Sequence, residues 1–259
     1  MLADRYDAFL FDLDGVLYRG DEPVPGAPEA VAALRGLGKG IAFVTNNSAR
    51  TPEAVAARLR SVGIPADPRE VETSALTTAA LLAERGVPDA YVIGGEGVRD
   101  ALAAAGVAVI DGDPTTVGAV VVGFDPEVDY AKLRRASLLV QAGVPYIATN
   151  PDASFPAGDG ERWPGAGALV AAVETTTGIR AEVIGKPNAP ILRAALARAG
   201  GGRPLLIGDR LDTDIAGAVT MGWSSFLVLT GISSRDDVDG FGFAPTYIWD
   251  DLSLLTDPD

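Results

Sequence analysis

Short unbroken apolar runs alternate with Ala- and Leu-rich stretches along almost the whole sequence, and this alternation limits the available folds more than any other feature. Runs such as Ala8-Phe9-Leu10-Phe11, Ile41-Ala42-Phe43-Val44 and Leu205-Leu206-Ile207 offer no polar face, so strands made from them must be covered on both sides. Helices between the strands supply that cover, which predicts an α/β protein on a parallel sheet. Helical patterns over 28–34, 52–63 and 74–84 are punctuated by Gly36, Gly38, Gly63, Gly86 and Pro88, and Thr51-Pro52 suits an N-cap followed by the first helical position. From about Tyr91 a second set begins, with strands expected at 91–94, 107–110, 117–122 and 146–148, enough for an α/β layer of its own. The Pro- and Gly-rich segment 151–167 reads as a long functional loop. The alternation then resumes with helices over 168–177, 189–199 and 213–221 and strands at 182–184, 204–207 and 225–229.

Composition narrows the chemistry. The 259 residues, 47% of them hydrophobic, allow one large domain or two modest ones. Cysteine is absent, which removes disulfides and thiol nucleophiles; histidine is absent, which removes Ser-His-Asp triads and imidazole metal sites. Catalysis must therefore run on carboxylates, lysine, hydroxyls, amides and a metal held by oxygen. A net charge of −14 argues against a nucleic acid or anionic membrane partner. No apolar stretch approaches a membrane span, the start lacks a basic-then-apolar signal, and a cytoplasmic protein is expected.

Polar residues cluster where the apolar runs end. Asp12 and Asp14 follow the first run, and Gly15 permits a tight turn there. Two acids at a low-dielectric strand tip repel unless a cation lies between them, which suggests Mg²⁺; an ordinary acidic turn is the plainer alternative. Thr45, Asn46 and Asn47 offer hydroxyl and amide donors suited to a phosphoryl group, or simply a polar loop before a helix cap. Lys186 is either a surface lysine or a point charge shared between a carboxylate and a phosphate. Asp209 stands at a fourth strand tip and is the best partner for Asp12 in a metal site, while Asp212 reads as a helix cap and Asp214 is less certain.

In order, Asp12-Leu13-Asp14-Gly15-Val16-Leu17, Thr45-Asn46-Asn47, Gly185-Lys186-Pro187 and Gly208-Asp209-Arg210-Leu211-Asp212-Thr213-Asp214 resemble the motifs of the haloacid dehalogenase (HAD) superfamily. The wording is similar, more narrowly, to its subfamily IIA, the NagD-like group with phosphoglycolate, glycerol phosphate and 4-nitrophenyl phosphatases. Ala148-Thr149-Asn150-Pro151-Asp152 and Pro164-Gly165-Ala166-Gly167 carry the likeness through the middle of the chain. The resemblance implies a Rossmann-like parallel-sheet core at 1–77 and 180–259, interrupted by an inserted C2-type α/β cap at 78–179 that governs substrate selection.

It further implies a Mg²⁺-dependent phosphatase working through an aspartyl-phosphate. Asp12 would be the nucleophile and Asp14 the general acid and then base. Thr45, Asn46, Asn47 and Lys186 would bind phosphate. Asp12, the Asp14 main-chain carbonyl and Asp209 would hold the metal, with Asp214 supporting the lysine or the metal's waters. Asp152, Phe155 and Pro156 would form a cap loop that selects the substrate; Phe155 stands where pyridoxal-phosphate-directed relatives carry a histidine, which disfavours that ester. A small ester resembling phosphoglycolate or glycerol phosphate is expected. A broad-specificity nucleotide or sugar-phosphate phosphatase is the alternative, and a receiver-like phosphoaspartate module a more distant one. Asp14 argues against dehalogenation, and the absence of Asp-Lys-Thr-Gly-Thr and of membrane spans argues against an ion pump. The implied partner is a small-molecule ester, with a homodimer formed through the cap.

Overall fold

Ala8–Phe11 forms β1, buried at every residue. The structure, a computed structural model, describes residues 1–156 and 161–255. A small hairpin of β2 (Tyr18–Arg19) and β3 (Glu22–Pro23) follows, then α1 (Ala27–Gly36), β4 (Gly40–Thr45), α2 (Pro52–Ser61), β5 (Val71–Thr73) and α3 (Ser74–Glu84). Next come β6 (Asp89–Ile93), α4 (Glu96–Ala104), β7 (Ala108–Ile110), β8 (Ala119–Val122), α5 (Tyr130–Gln141) and β9 (Tyr146–Ala148). After them run β10 (Ser154–Pro156), β11 (Arg162–Pro164), α6 (Ala166–Thr177) and β12 (Glu182–Val183). The chain ends with α7 (Ala189–Arg198), β13 (Pro204–Gly208), a π-helical turn at Leu211–Ile215, α8 (Ala216–Met221), β14 (Ser224–Val228), α9 (Arg235–Val238) and β15 (Tyr247–Trp249).

Two compact units result: Met1–Thr45 with Pro52–Glu72 and Lys186–Asp259, and Asn46–Thr51 with Thr73–Gly185. The first unit's sheet has the order β15-β14-β13-β1-β4-β5, and β1 pairs in parallel with both β4 and β13. Period two splits β1 between two cores. Phe9 and Phe11 pack with Phe43, Leu205, Ile207 and Phe226, while Ala8 and Leu10 pack with Ala42, Val44, Leu206 and the α7 residues Ile191, Leu192 and Ala195. Each such Leu or Phe contributes about 2 kcal/mol by leaving water. From β1 the chain moves outward through β4 and β5, then returns beside β1 as β13 and moves outward the other way. The order therefore reverses between β1 and β13, where open α/β sheets bind ligands.

The second unit has its own sheet, β12-β9-β8-β6-β7, with every adjacent pair parallel. Val92, Val121 and Ile147 face α3 and α4, whereas Ile93, Val120 and Val122 face α5 and α6. Two helix starts follow ordinary capping: Thr73 Oγ1 accepts from Leu76 N–H at 3.1 Å and Asp129 Oδ1 from Lys132 N–H at 2.7 Å. Among the described residues no helix is long and apolar enough to cross a membrane.

Three expectations change. The strand at 182–184 pairs with β9 of the second sheet, so the divide falls at Gly185/Lys186 and, earlier, at Glu72/Thr73 rather than at 179/180 and 77/78. Segment 151–167 is not a loop throughout, because β10 and β11 form an antiparallel hairpin and α6 starts at Ala166; residues 157–160 lie outside the described ones. The helix expected from Thr213 begins as the π turn, and Asp212 caps nothing: its carboxylate takes both Nε and NH2 of Arg210, at 3.0 and 2.7 Å.

Candidate active site

In the first unit, four predicted residues converge at the carboxyl ends of β1 and β13. Asp12 follows β1 directly, its N–H donating to Ile207 O at 2.8 Å, and Asp209 follows β13. Lys186 is 2% exposed and donates to Asp12 Oδ1 at 2.5 Å, to Asp214 Oδ1 at 2.7 Å and to Val44 O at 3.3 Å. The π turn carries Asp214 inward, where its Oδ2 accepts from Arg210 N–H at 3.2 Å. Gly208 allows this approach, since a Cβ there would stand 2.2 Å from Asp214 Cβ. Oxygens of Asp12, Asp209 and Asp214 lie within 4.8 Å of one another.

Two of these carboxylates share one lysine with the third close by, and their acidities respond. Burial, with the charges of Asp12 and Asp214, pushes Asp209 up to about 8 against the opposing Ile232 N–H and Lys186. Burial likewise raises Asp214 to about 6, and raises Asp12, in both cases against the pull of Lys186. Burial works against the Lys186 ammonium too, but Asp12 and Asp214 outweigh it and hold it above the usual lysine range. Asp12 is thus a buried carboxylate with a permanent cation on one oxygen.

Of the remaining predicted residues, Asp14 and Thr45 belong to the first unit and the others to the second. Asp14 is exposed on the turn that closes β1, and Gly15 there has φ +82°, a left-handed value. Thr45 is the buried last residue of β4. Asn46 belongs to the second unit, where its Nδ2 donates to Asp152 Oδ1 at 3.2 Å and its carbonyl accepts from Ser74 Oγ and Asn150 Nδ2, both at 2.7 Å. Asn47 is exposed, and its Oδ1 accepts from Ala49 N–H at 2.9 Å in a local turn. Phe155 meets Phe124 edge to face at 5.0 Å and Trp163 at 6.3 Å, while Pro156 ends β10 opposite Arg162.

A model described as haloacid dehalogenase-like hydrolase matches residues 9–108, and a second HAD-hydrolase-like model matches 183–255. An acid sugar phosphatase of Staphylococcus aureus is 41% identical over 253 residues, 96% of each chain. The chain belongs to the haloacid dehalogenase-like hydrolases. Within that family it is NagD-like: NagD from Escherichia coli K-12 superposes with TM-score 0.88 at 30% identity, over 97% of this chain and 98% of that one. A glycerol phosphate phosphatase from Mycobacterium tuberculosis, solved with magnesium, gives TM-score 0.92 at 36% identity over 98% of this chain and 77% of that one. Fold, motifs and relatives make this HAD-like hydrolase a phosphatase.

The donor set of this HAD-like site fits a hard divalent cation. All its donors are oxygens, and the gathering of buried carboxylates that pushes Asp209 up is the kind of charge such an ion relieves. The four sequence motifs leave out the segment Thr230–Ser233, whose Ile232 N–H donates to Asp209 Oδ2 at 2.7 Å. Its signal is the Thr230-Gly231 pair just past the apolar strand 225–229, in the same strand-end position as the motifs.

Proposed function

We propose that this HAD-like phosphatase hydrolyses a small phosphate monoester by two displacements at phosphorus, with Asp12 as nucleophile. The observation that carries the proposal is the pair of contacts from buried Lys186 to Asp12 and Asp214, with Asp209 completing a group of three carboxylates whose oxygens lie within 4.8 Å of one another. Asp12 forms an acyl phosphate as the ester P–O bond breaks, and Asp14, exposed to the incoming ester, gives its proton to the leaving alkoxide. Asp14 then takes a proton from the attacking water, whose oxygen ends in inorganic phosphate as Asp12 is released. Lys186 holds one Asp12 oxygen and, with Thr45, Asn46 and Asn47, binds the phosphoryl oxygens. Asp12, Asp209 and the Asp14 carbonyl would hold Mg²⁺, with Asp214 behind Lys186; bound there, Mg²⁺ supplies positive charge against the carboxylates and the transferring group.

The leaving group is a small hydroxylated alcohol. Glycerol phosphate and phosphoglycolate come first; a sugar phosphate is a second reading, supported by the name of the Staphylococcus aureus relative. Asp152, Phe155 and Pro156 select among these alcohols, and the Phe155 aromatic cluster supports that role over a purely polar one. The proposal includes a cytoplasmic enzyme that pairs through the second unit, whose α5 exposes Tyr130 and Leu138; sedimentation equilibrium would test the pairing.

The deciding assay is phosphate release from glycerol 3-phosphate, phosphoglycolate, glucose 6-phosphate, a nucleoside monophosphate and 4-nitrophenyl phosphate, with Mg²⁺ and with chelator. Turnover that needs Mg²⁺ and disappears in Asp12→Asn supports the mechanism, and the order of esters identifies the leaving group. No turnover of any ester refutes it, and a long-lived phosphorylated Asp12 moves the assignment to a signalling role.

A further inference from the structure

Thr230–Ser233 is tied to both strand tips that carry the acids. Thr230 Oγ1 donates to Gly15 O at 2.6 Å, joining the segment to the turn after Asp12. Ile232 N–H donates to Asp209 Oδ2 at 2.7 Å, and Ser233 N–H donates to Asp209 O at 3.0 Å. Ser233 Oγ in turn accepts from Leu211 N–H at 3.1 Å, which pins the far end of the segment to the start of the π turn.

The close packing is as specific as the hydrogen bonds. A Cβ on Gly231 would stand 1.9 Å from Asp209 Oδ2, and one on Gly15 would stand 2.5 Å from the same oxygen and 3.0 Å from Gly231 Cα. Two glycines from segments far apart in sequence therefore close on one carboxylate. The Thr230 hydroxyl joins these two glycine segments directly, one peptide away from the Asp14 carbonyl.

We infer that Thr230 is a positioning residue for the divalent cation: its hydroxyl, acting through Gly15, holds the Asp14–Gly15 turn in register with the Asp209 carboxylate that Ile232 orients. The inference rests on the Mg²⁺ reading above and adds a residue outside the four motifs. Outer partners that orient metal ligands are worth about ten-fold or more in metal affinity. Thr230→Val keeps the shape of the side chain and removes the donor, whereas Thr230→Ser keeps the donor.

Calorimetric titration of the metal-free protein with Mg²⁺ alone tests this without relying on turnover. The expected result is about ten-fold weaker binding in Thr230→Val, near-native binding in Thr230→Ser and none in Asp209→Asn. At saturating Mg²⁺ the KM for 4-nitrophenyl phosphate should match that of the native enzyme in both Thr230 variants. Native Mg²⁺ affinity in Thr230→Val, alone or with a lower melting temperature of the metal-free form, would overturn the inference and leave the Mg²⁺ reading standing. A native protein that binds no Mg²⁺ would overturn both.

Discussion

Replacing Lys186 with methionine removes the cation that Asp12 and Asp214 share while keeping most of the buried stem. Lys186 is 2.5 Å from Asp12 Oδ1 and 2.7 Å from Asp214 Oδ1, so the substitution leaves two buried carboxylates facing Asp209 without it. Deprived of its partner at that depth, a carboxylate takes up a proton instead of staying charged. Each pH unit between the unfolded-state value and the solution pH then costs about 1.4 kcal/mol. For Asp214, with an ordinary value of 3.8, a proton held at pH 8 costs roughly 6 kcal/mol. The native protein, with Asp214 at about 6, already bears roughly 3 kcal/mol of this, so the variant loses about 3 kcal/mol more. Asp12 adds to that loss. The sign follows from the raised values: the folded state binds protons that the unfolded state releases, so stability falls as pH rises above 3.8. In the native protein the Asp214 contribution levels off above about 6, whereas in Lys186→Met the fall continues. The difference between the two should therefore be largest near pH 8 and mostly gone from the Asp214 contribution by pH 6. Urea denaturation in chelator at both pH values, followed by tryptophan fluorescence, measures it, since Trp223 and Trp249 both lie in the first unit. An equal loss at both values, or none at pH 8, refutes the reasoning.

Asp14→Asn should lower kcat by about 10²- to 10⁴-fold at unchanged melting temperature, because the side chain is exposed and its proposed work is proton transfer; steady-state kinetics with calorimetry would check both. A divalent cation held by Asp209, as proposed, would compete with a proton there because Asp209 is pushed up to about 8, so the apparent Mg²⁺ affinity should weaken by up to about ten-fold per unit as pH falls from 8 to 6, as read by calorimetric titration. Gly208→Ala should destabilise the protein by about 3 kcal/mol and abolish turnover, since the added Cβ would stand 2.2 Å from Asp214 Cβ and push it off Lys186; denaturation and phosphate release would show both.

The apolar runs and their helical intervals are local signals, and they were largely legible. The strand 146–148 and the helix 74–84 fall where the sequence places them, and β1, β4 and β13 follow closely. The placing of Asp12 and Asp209 was legible for the same reason: a polar residue at the end of an apolar strand marks the carboxyl edge of a parallel sheet, whereas the strand before Lys186 pairs in the other sheet. Asp212 was misread because an acid before a helix looks like a cap whether or not the first turn is π-wound. Its neighbour Asp214 became the buried one, through a ladder shift that spacing alone does not reveal.

Sequence alone determined the α/β class, the strand tips that carry the acids, and an oxygen-based chemistry, since a chain without histidine or cysteine leaves carboxylates as its main metal ligands. Tertiary structure decided which sheet Glu182–Val183 joins, how Lys186 is divided between Asp12 and Asp214, and which loop closes on Asp209. An apolar strand reads the same beside either sheet, and Thr230 lies 215 residues from the carbonyl it grips. Pairing and close packing depend on distance in space, which the order of residues does not carry until the chain has folded.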